Sequence, residues 1–545
     1  MDDVAEGSAP TGGEPPVAAR AVASTTRSLA RAGIIVTAAF AVSRVLGYLR
    51  YIVIAAAVPD AAQLDAFFAA FRIPDFLFQL VAAGALSSAM IPVVAGLFAT
   101  DAHARAWRVV STVTTLMLGV LALLALLVLV FAPALVAFIT PGFDDAQLEM
   151  TVELTRIMVL APLFLAAGAV ATSVLNASGR FGAAAVAPVV YNVAIIIGAL
   201  LFVPVFGVVG LAIGVVAGSL GHLLVQVPVL GRIGARIRPR MDLADTEARH
   251  TLALMAPRAL GLGAVQVVFL VMTSLASTLS TGAIAAFTFA FAVLQIPIGV
   301  IGVPLGVVLL PSLSREAATG DGEAFRSLLL RALRLLAFVM VPIATIGFVV
   351  AGDVTQLLFD YGATDQALLD TTSVALQAFL LGVTAHSLIA VLARAFYARQ
   401  DTLTPVLAAL VAVAVDIAAA VVLVGPYGVV GLAAAIAIGA WVETMLLAVL
   451  LRRHVPGLAL GSVARVLLVT SVIALAGAAV AFVVRQALVG LSGEDPSQLV
   501  VLAQLVVTTA AGALVVVAAA AALRMEELRT IVGVMADLMR RRGRP

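Results

Sequence analysis

Long apolar stretches follow one another along this 545-residue sequence, and they constrain its fold more than any other feature. A helix crosses the hydrocarbon core of a bilayer with about 20 apolar residues, and about fourteen runs of sufficient length occur. Backbone groups in lipid must form hydrogen bonds within the protein, so runs of this length predict helices. The runs cover residues 34–58, 65–98, 109–139, 150–176, 182–204, 207–230, 251–279, 283–310, 328–351, 371–397, 404–424, 427–451, 461–489 and 498–523.

Composition supports the same conclusion. The chain is 63% hydrophobic and 11% charged, whereas a soluble globular protein is about 45–50% apolar. We therefore predict an all-α, polytopic membrane protein and exclude an ordinary soluble domain.

The connections between the runs alternate in charge, which predicts the side of the membrane on which each lies. Cytoplasmic connections are enriched in Arg and Lys, and an even number of spans then places both termini in the cytoplasm. The basic connections contain Arg105, Arg108, Arg180, Arg232, Arg236, Arg238, Arg240, Arg315, Arg326, Arg399, Arg452 and Arg453. The acidic connections contain Asp144, Asp145, Glu149, Asp353, Asp360, Asp365, Glu494 and Asp495.

An internal repeat predicts two lobes. GVVGLA occurs at Gly207 and again at Gly428, and Pro92 corresponds to Pro311 at nearly the same separation. Two copies of six spans each have the same orientation, so an axis along the membrane normal relates them. Spans 13 and 14 lie outside the repeat, where they either shield the cleft between the lobes or form a groove for a lipid tail.

These patterns divide the chain into six parts. They are a disordered cytoplasmic arm (1–31), an N-lobe (32–232), a basic cytoplasmic linker (233–250), a C-lobe (251–453), two further spans (454–523) and an amphipathic, basic cytoplasmic tail (524–545). The tail has apolar residues at helical spacing among charges, which is typical of membrane-surface helices. It either anchors the chain to anionic lipid or docks a partner.

The chain lacks the residues of common catalytic sites. It has no cysteine, and its five histidines show no metal-ligand spacing. The nucleotide-binding motif G-x-x-x-x-G-K-[ST] is absent from the sequence. We therefore predict neither an enzyme nor a bound metal or organic cofactor.

Two arginines in the first run, Arg44 and Arg50, are the first candidate site residues. Arg44 would lie about 15 Å into the span at 1.5 Å per residue, and an intramembrane Arg costs at least about 2.5–3.5 kcal/mol. Guanidinium groups facing a polar cavity would bind phosphate through paired hydrogen bonds. Alternatively, Arg44 pairs with Asp65 or Asp75, and Arg50 extends its charge to the outer interface.

The second run adds three charged residues. Asp65 and Arg72 are seven residues apart and share a helix face, while Arg72 and Asp75 are neighbours at i,i+3. A structural ion pair and a substrate contact both explain this spacing.

Five motifs resemble those of a known family. SRVLGYLR, DAFFAAFRIPDFL, GALSSAMIPV, PLGVVLLPSLSR and FYARQDTLTPV are similar to signatures of the MurJ (MviN) lipid II flippases, in the multidrug/oligosaccharidyl-lipid/polysaccharide exporter superfamily. The resemblance covers about residues 34–453. It implies translocation of a polyprenyl-diphosphate-linked peptidoglycan precursor across the bacterial cytoplasmic membrane by alternating access. By motif, it implies that Arg44, Arg50 and Asp65 line a central cavity.

The sequence also departs from the family pattern. Phe78, Gln79 and Ala83 stand where the family often has Arg and an acidic residue before Gly-Ala, and Ala292 stands where it has Arg in span 8. Arg258 either supplies the missing charge or extends to the cytoplasmic face. The cavity is therefore expected to be less basic than is usual in the family.

The resemblance also implies a coupling ion, sodium or a proton, with Asp416 in span 11 as its candidate ligand and Glu443 as a second carboxylate in the same lobe. The expected partners are the polyprenyl-linked glycan lipid, the bilayer and cell-wall synthesis proteins, with no nucleic acid, and the chain is expected to act as a monomer. Two alternative functions remain: an exporter of another polyprenyl-linked saccharide or a drug, and a non-transporting scaffold of cell-wall synthesis.

Overall fold

The computed structural model describes residues 38–81, 85–242, 244–361, 364–493 and 496–542. Within these ranges, the side chains of 85–88, 256–262, 264, 538–539 and 541–542 are not described. The predicted arm at 1–31 lies outside the described residues. In the ranges given, all regular secondary structure is helical.

The helices follow in chain order and include two π-helical turns. They are α1 (Ala38–Ala57), α2 (Ala61–Val81), α3 (Ala85–Ala99), α4 (His103–Ile139), α5 (Asp145–Met158), α6 (Ala161–Ala177), α7 (Phe181–Ile197), the first π turn (Gly198–Phe202), α8 (Val203–Phe206), α9 (Val209–Leu224), α10 (Val227–Arg232), α11 (Thr246–Ser277), α12 (Ala283–Pro297), the second π turn (Ile298–Gly302), α13 (Val303–Thr319), α14 (Gly322–Phe359), α15 (Gln366–Ala398), α16 (Leu403–His454), α17 (Leu460–Ser492), α18 (Gln498–Ala522) and α19 (Glu526–Arg542).

The number of membrane crossings agrees with the sequence. Eleven helices in the described ranges are long and apolar enough to cross a bilayer. One of them, α16, divides into two at Gly428, where the backbone leaves helical geometry. The division of α16 brings the number of spans to twelve, and the α2–α3 pair and α11 provide one span each. The prediction of about fourteen spans is therefore confirmed.

The repeat predicted from GVVGLA appears in the backbone. Gly207 has φ 60° and ψ −150°, and Gly428 has φ 55° and ψ −133°, a region open in practice only to glycine. Three residues after each, Gly210 and Gly431 lie against the backbone of Phe202 and Leu423, where a Cβ atom would collide. Each lobe therefore contains the same tight helical hairpin, and two pseudo-symmetric lobes are confirmed.

The described part of α11 belongs to the apolar cores of both lobes. Its first half contributes Met255 to a core built mainly from α2, α3, α4 and α6. Its second half contributes Met272 and Ala276 to a core that also includes Leu432 of α16. The predicted boundary at 251 therefore falls at the start of a helix that both lobes share, and it stays a prediction.

The last two spans pack against the C-lobe. α17 lies along α14, and α18 packs on both. Arg485 of α17 binds the buried carboxylate of Asp353 on α14 through two hydrogen bonds of 2.8 Å. A buried pair with two matched hydrogen bonds fixes the relative position of the two helices, so α17 is tied to the C-lobe.

Two segments outside the spans, the basic linker and the tail, are also held to the bundle. Part of the basic linker runs along α4, where the backbone N–H of Arg238 donates to Ser111 Oγ at 3.1 Å and that of Arg240 to Thr115 Oγ1 at 3.0 Å. In the tail, α19 is tied to α14 because Arg334 contacts both Glu526 and Glu527.

The conformation of Gly428 gives a test of the hairpin. Gly428→Ala should lower the free energy of unfolding by about 1–3 kcal/mol, because an alanine there is strained. Gly425→Ala is the matched control, since it lies in the same helix with open space around its Cβ position and no positive φ. Thermal unfolding in detergent measures both variants, and equal stabilities would contradict the assigned strain.

Candidate functional site

A cavity of about 370 Å³ lies between the two lobes. Helices α1 and α2 form its N-lobe wall, and α11 and α12 form its C-lobe wall. Its lining includes four of the predicted site residues, namely Arg44, Arg50, Arg72 and Asp75, together with Gly47, Tyr48, Tyr51, Gln266, Phe269, Thr288, Phe291, Ala292 and Gln295. The charges predicted from spans 1 and 2 therefore meet in one place.

Arg44 is exposed to the cavity without a carboxylate partner. Among the side chains that the structure describes, no acidic oxygen lies within 4.0 Å of its guanidinium. The guanidinium lies against Gly299 in the second π turn, and a Cβ atom at Gly299 would collide with it. The proposed alternative, a pair with Asp65 or Asp75, is not formed in this conformation.

Arg50 also turns inward. Its guanidinium carbon lies 5.0 Å from the ring centroid of Tyr51 and 6.0 Å from that of Tyr191. A guanidinium within about 6 Å of an aromatic ring gains about 0.5–2 kcal/mol from the ring quadrupole. In this structure Arg50 therefore contributes charge to the cavity rather than to the outer interface.

Arg72 and Asp75 bind across the lobe interface rather than to each other. Arg72 donates from Nε to Thr273 at 3.1 Å and from Nη2 to Thr288 at 3.2 Å. Asp75 accepts a hydrogen bond of 3.1 Å from Gln266. No contact of 4.0 Å or less joins the two charged groups, so the ion pair suggested by their spacing is replaced by neutral partners on α11 and α12.

Asp65 lies at the lobe interface, apart from the cavity. Its side chain is buried (2% exposed), and it accepts hydrogen bonds from the backbone N–H groups of Gly282 at 2.7 Å and Ala285 at 2.8 Å. These groups belong to the N-terminus of α12, where unpaired N–H groups and the helix dipole favour an anion. An N-lobe carboxylate thus caps a C-lobe helix, a role that sequence spacing did not predict.

A second contact lies at the same end of the molecule. The hydroxyl of Ser277, at the end of α11, accepts a hydrogen bond of 3.3 Å from the backbone N–H of Gly142, between α4 and α5. Gly142 lies so close to the α11 backbone that a Cβ atom would collide with it. The two lobes are therefore closed against each other at the end where α2 and α12 begin.

A second space of about 420 Å³ is lined mainly by N-lobe helices, and sequence reasoning missed it. We call it the N-lobe pocket. It shares Arg50, Tyr51, Arg72, Asp75 and Thr288 with the cavity between the lobes, so the two spaces adjoin. The sequence feature that could have indicated this pocket is the group of phenylalanines on α2, which line it at positions 67, 68, 71 and 78.

Two departures from the family pattern fall in this region. Ala292 lines the cavity and Phe78 lines the N-lobe pocket. Both positions therefore face the site, and the expectation of a less basic cavity stays a prediction. Arg258 lies in α11, but its side chain is outside the described residues.

Asp416 lies in the C-lobe, away from the cavity. Its Oδ1 atom is buried without a hydrogen-bond partner among the described residues. This atom lies against Gly439, in the part of α16 that follows Gly428, and a Cβ atom at position 439 would collide with it. The described ranges contain no group of three acidic, His or Cys side chains with metal-binding geometry, so Asp416 and Glu443 are not joined by a third such ligand.

Comparison with known proteins gives a consistent result. A family model described as "Lipid II flippase MurJ" matches residues 54–492. A probable lipid II flippase MurJ from Vibrio cholerae is 31% identical over 433 residues, which cover 77% of this chain and 82% of the relative. A lipid II flippase MurJ from Burkholderia cenocepacia is 31% identical over 435 residues, covering 78% and 84%.

Solved structures show the same fold. A lipid II flippase MurJ in an inward closed conformation matches with a TM-score of 0.74 at 22% identity, covering 90% of this chain and 98% of the other. An inward-facing multidrug resistance MATE family transporter of the MOP superfamily matches with a TM-score of 0.63 at 17% identity, covering 76% and 95%. At these identities the likeness concerns the fold alone.

The role of Asp65 can be tested by an isosteric change. Asp65→Asn replaces one accepting oxygen with an NH₂ group, and a hydrogen bond to a charged group contributes about 1.5–3 kcal/mol. We expect the population with separated lobes to rise at least about tenfold. Spin labels at Ala146→Cys and Ser280→Cys, both exposed, would report this as longer distances in pulsed electron paramagnetic resonance.

Asp60→Asn is the control for this experiment. The Asp60 carboxylate is exposed and accepts a hydrogen bond from the backbone N–H of Ala62, at the start of α2. It should leave the distances unchanged. An unchanged distance distribution in Asp65→Asn would show that this carboxylate does not hold the lobes together.

Proposed function

The chain belongs to the lipid II flippase MurJ family, and from this membership and the site above we propose that it moves lipid II across the cytoplasmic membrane by alternating access. The observation that supports this most is the convergence of Arg44, Arg50 and Arg72 on one cavity between the lobes. Asp75 is the one carboxylate in the described lining. The lining is therefore cationic and suits a diphosphate.

The arginines provide the binding chemistry. Guanidinium groups form paired, charge-assisted hydrogen bonds with phosphate oxygens, and a low-dielectric wall strengthens them. Arg44 has no competing carboxylate, so its donors are available to a ligand. The polar headgroup would cross in the cavity, while the polyprenyl tail stays in the bilayer beside the helices.

The lobe contacts supply the alternation. Asp65 and the α12 N-terminus keep one end of the molecule closed, and passage to that side requires their separation. Rocking of two lobes about a central site is the usual mechanism of transporters built from repeats. One chain contains both lobes, so we propose a monomer as the working unit, with no chemical step on the substrate.

The charge of the cavity also bears on the alternatives. A cationic drug would be repelled by three guanidinium groups, since a field of like charge lowers the local concentration of a ligand. The cationic lining therefore favours an anionic lipid-linked substrate over a cationic drug. A scaffold without transport would not need these charges in the interior.

The orientation of the chain is proposed from its charge pattern. Both termini should lie in the cytoplasm, because the basic connections alternate with the acidic ones. A cysteine at Arg236 should be protected from an impermeant thiol reagent in whole cells, whereas one at Asp144 should react. The chain has no native cysteine, so the background is low, and external labelling at 236 would reverse the orientation.

The proposed function can be tested by rescue. Cells depleted of their own lipid II flippase should grow when they express this chain, and failure of the wild type at normal expression would contradict the function. Arg44→Ala should abolish rescue. Arg44→Lys should lower flipping at least about tenfold, because an ammonium lacks the planar fork that binds two phosphate oxygens.

Arg180→Lys is the control, since Arg180 is an exposed residue outside the cavity. It should rescue growth as the wild type does. Normal flipping by Arg44→Lys would reduce the role of Arg44 to that of a point charge.

Ion coupling is a separate proposal, in which Asp416 binds sodium or a proton. The buried, unpartnered Oδ1 atom supports it, because an isolated carboxylate in the membrane interior must bind a cation or be neutral. Asp416→Asn should remove the dependence of transport on the sodium or pH gradient. Asp370→Asn, at an exposed carboxylate, should not, and equal responses of the Asp416 variant and the wild type would make Asp416 structural.

A further inference from the structure

We propose that the N-lobe pocket is a sugar subsite, which holds the saccharide ring bonded to the diphosphate while the arginines hold the diphosphate itself. This inference rests on the proposed function and assigns a part of the substrate to a part of the site. The volume of the N-lobe pocket, about 420 Å³, lies within the range of about 300–1,000 Å³ that is usual for small-molecule sites.

The position of the pocket is the first argument. Arg50 and Arg72 line both the cavity between the lobes and the N-lobe pocket. A sugar bonded directly to a diphosphate lies within a few ångströms of the groups that bind the phosphates. The pocket is therefore within reach of that ring without any movement of the lobes.

The walls of the pocket are the second argument. Phe67, Phe68 and Phe71 of α2 and Tyr191 of α7 surround it. The face of a pyranose ring consists of C–H groups and packs well on aromatic rings, whereas its edge carries hydroxyl and acetamido groups that need hydrogen bonds. An aromatic wall with a few polar groups meets both needs.

Unused polar groups are the third argument. The hydroxyl of Tyr191 forms no hydrogen bond within the described part of the chain. His222 turns Nδ1 toward Gly168, where that atom is buried without a partner, so Nε2 is the ring nitrogen that remains for a ligand. Polar groups that face a largely apolar pocket need partners, and a hydroxyl or amide of a sugar would supply them to the Tyr191 hydroxyl and to His222 Nε2.

The other parts of the substrate fit less well. A polyprenyl tail is wholly apolar and would offer no hydrogen bond to Tyr191 or His222, while it would desolvate the charges of Arg50 and Asp75, which costs free energy. A stem peptide is attached to the diphosphate only through the saccharide, so it begins farther from Arg50 and Arg72 than the first ring does. A neutral ring with hydroxyl groups satisfies the pocket without an unpaired charge.

The test compares two lipids that share the diphosphate and the tail, one with and one without the saccharide and its stem peptide. Leu165→Trp adds bulk to the pocket from α6, a helix that contributes none of the residues shared with the cavity. We expect the purified variant to bind lipid II at least about tenfold more weakly, and undecaprenyl diphosphate with less than about threefold change. Phosphatidylglycerol serves as the reference for non-specific binding.

Two further variants make the result interpretable. Leu160→Trp is the matched control, because Leu160 is five residues earlier and is 41% exposed. Gly168→Ala should act like Leu165→Trp, since a Cβ atom there collides with the imidazole of His222 and forces it into the pocket. It keeps the experiment decisive if the tryptophan variant does not fold.

The outcomes separate the inference from the proposed function. Unchanged binding of both lipids by both variants would overturn the subsite, and so would an equal loss for both lipids, which would mean that the pocket only supports the arginines. Wild-type protein that binds lipid II no more tightly than phosphatidylglycerol would overturn the proposed function as well.

Discussion

A guanidinium group inside a bundle of membrane helices is stable only where polar groups or water meet it, and the site depends on this constraint. Each of the three arginines meets it differently. Arg72 binds two hydroxyls, Arg50 lies on aromatic rings, and Arg44 faces the cavity beside a glycine. A carboxylate partner would also have satisfied the hydrogen-bonding groups of any of them, but it would have cancelled the charge that attracts a diphosphate.

The two lobes share a backbone plan but differ in their chemistry. Gly207 and Gly428 have matching conformations at the same point of the repeat. The N-lobe nevertheless supplies the arginines of the cavity, whereas the C-lobe has Asp416 and Glu443 within its span helices. Position 443 corresponds to His222 by the separation of the two GVVGLA motifs, so equivalent positions have diverged to different ionisable groups. The repeat thus fixes the helical framework, and substitution at equivalent positions sets the binding chemistry.

Sequence reasoning was strongest where one physical requirement decides the outcome. The length of the apolar runs determines the crossings, and the cost of intramembrane charge indicated a polar surrounding for Arg44, which lines the cavity together with Arg50. It was weaker where a partner comes from a distant helix. The i,i+3 spacing of Arg72 and Asp75 suggested an ion pair between them. Their partners are instead Thr273, Thr288 and Gln266. The spacing of residues along one helix carries no information about the groups on the opposite side of the lobe interface. The N-lobe pocket was not predicted for the same reason, because its lining comes from six different helices.

The character of the C-lobe wall follows from the same balance of charge. Thr273, Thr288 and Gln266 are neutral, so they satisfy the hydrogen-bonding groups of Arg72 and Asp75 without fixing the lobes by a buried ion pair. Breaking a buried ion pair costs about 3–5 kcal/mol when a charge is left alone, whereas a single neutral hydrogen bond contributes about 0.5–1.5 kcal/mol. A wall of hydroxyl and amide groups therefore lets the lobes separate at modest cost while the arginines keep their charge. Asp65 is the exception among these contacts, and it lies at the end that must stay closed until the cycle proceeds.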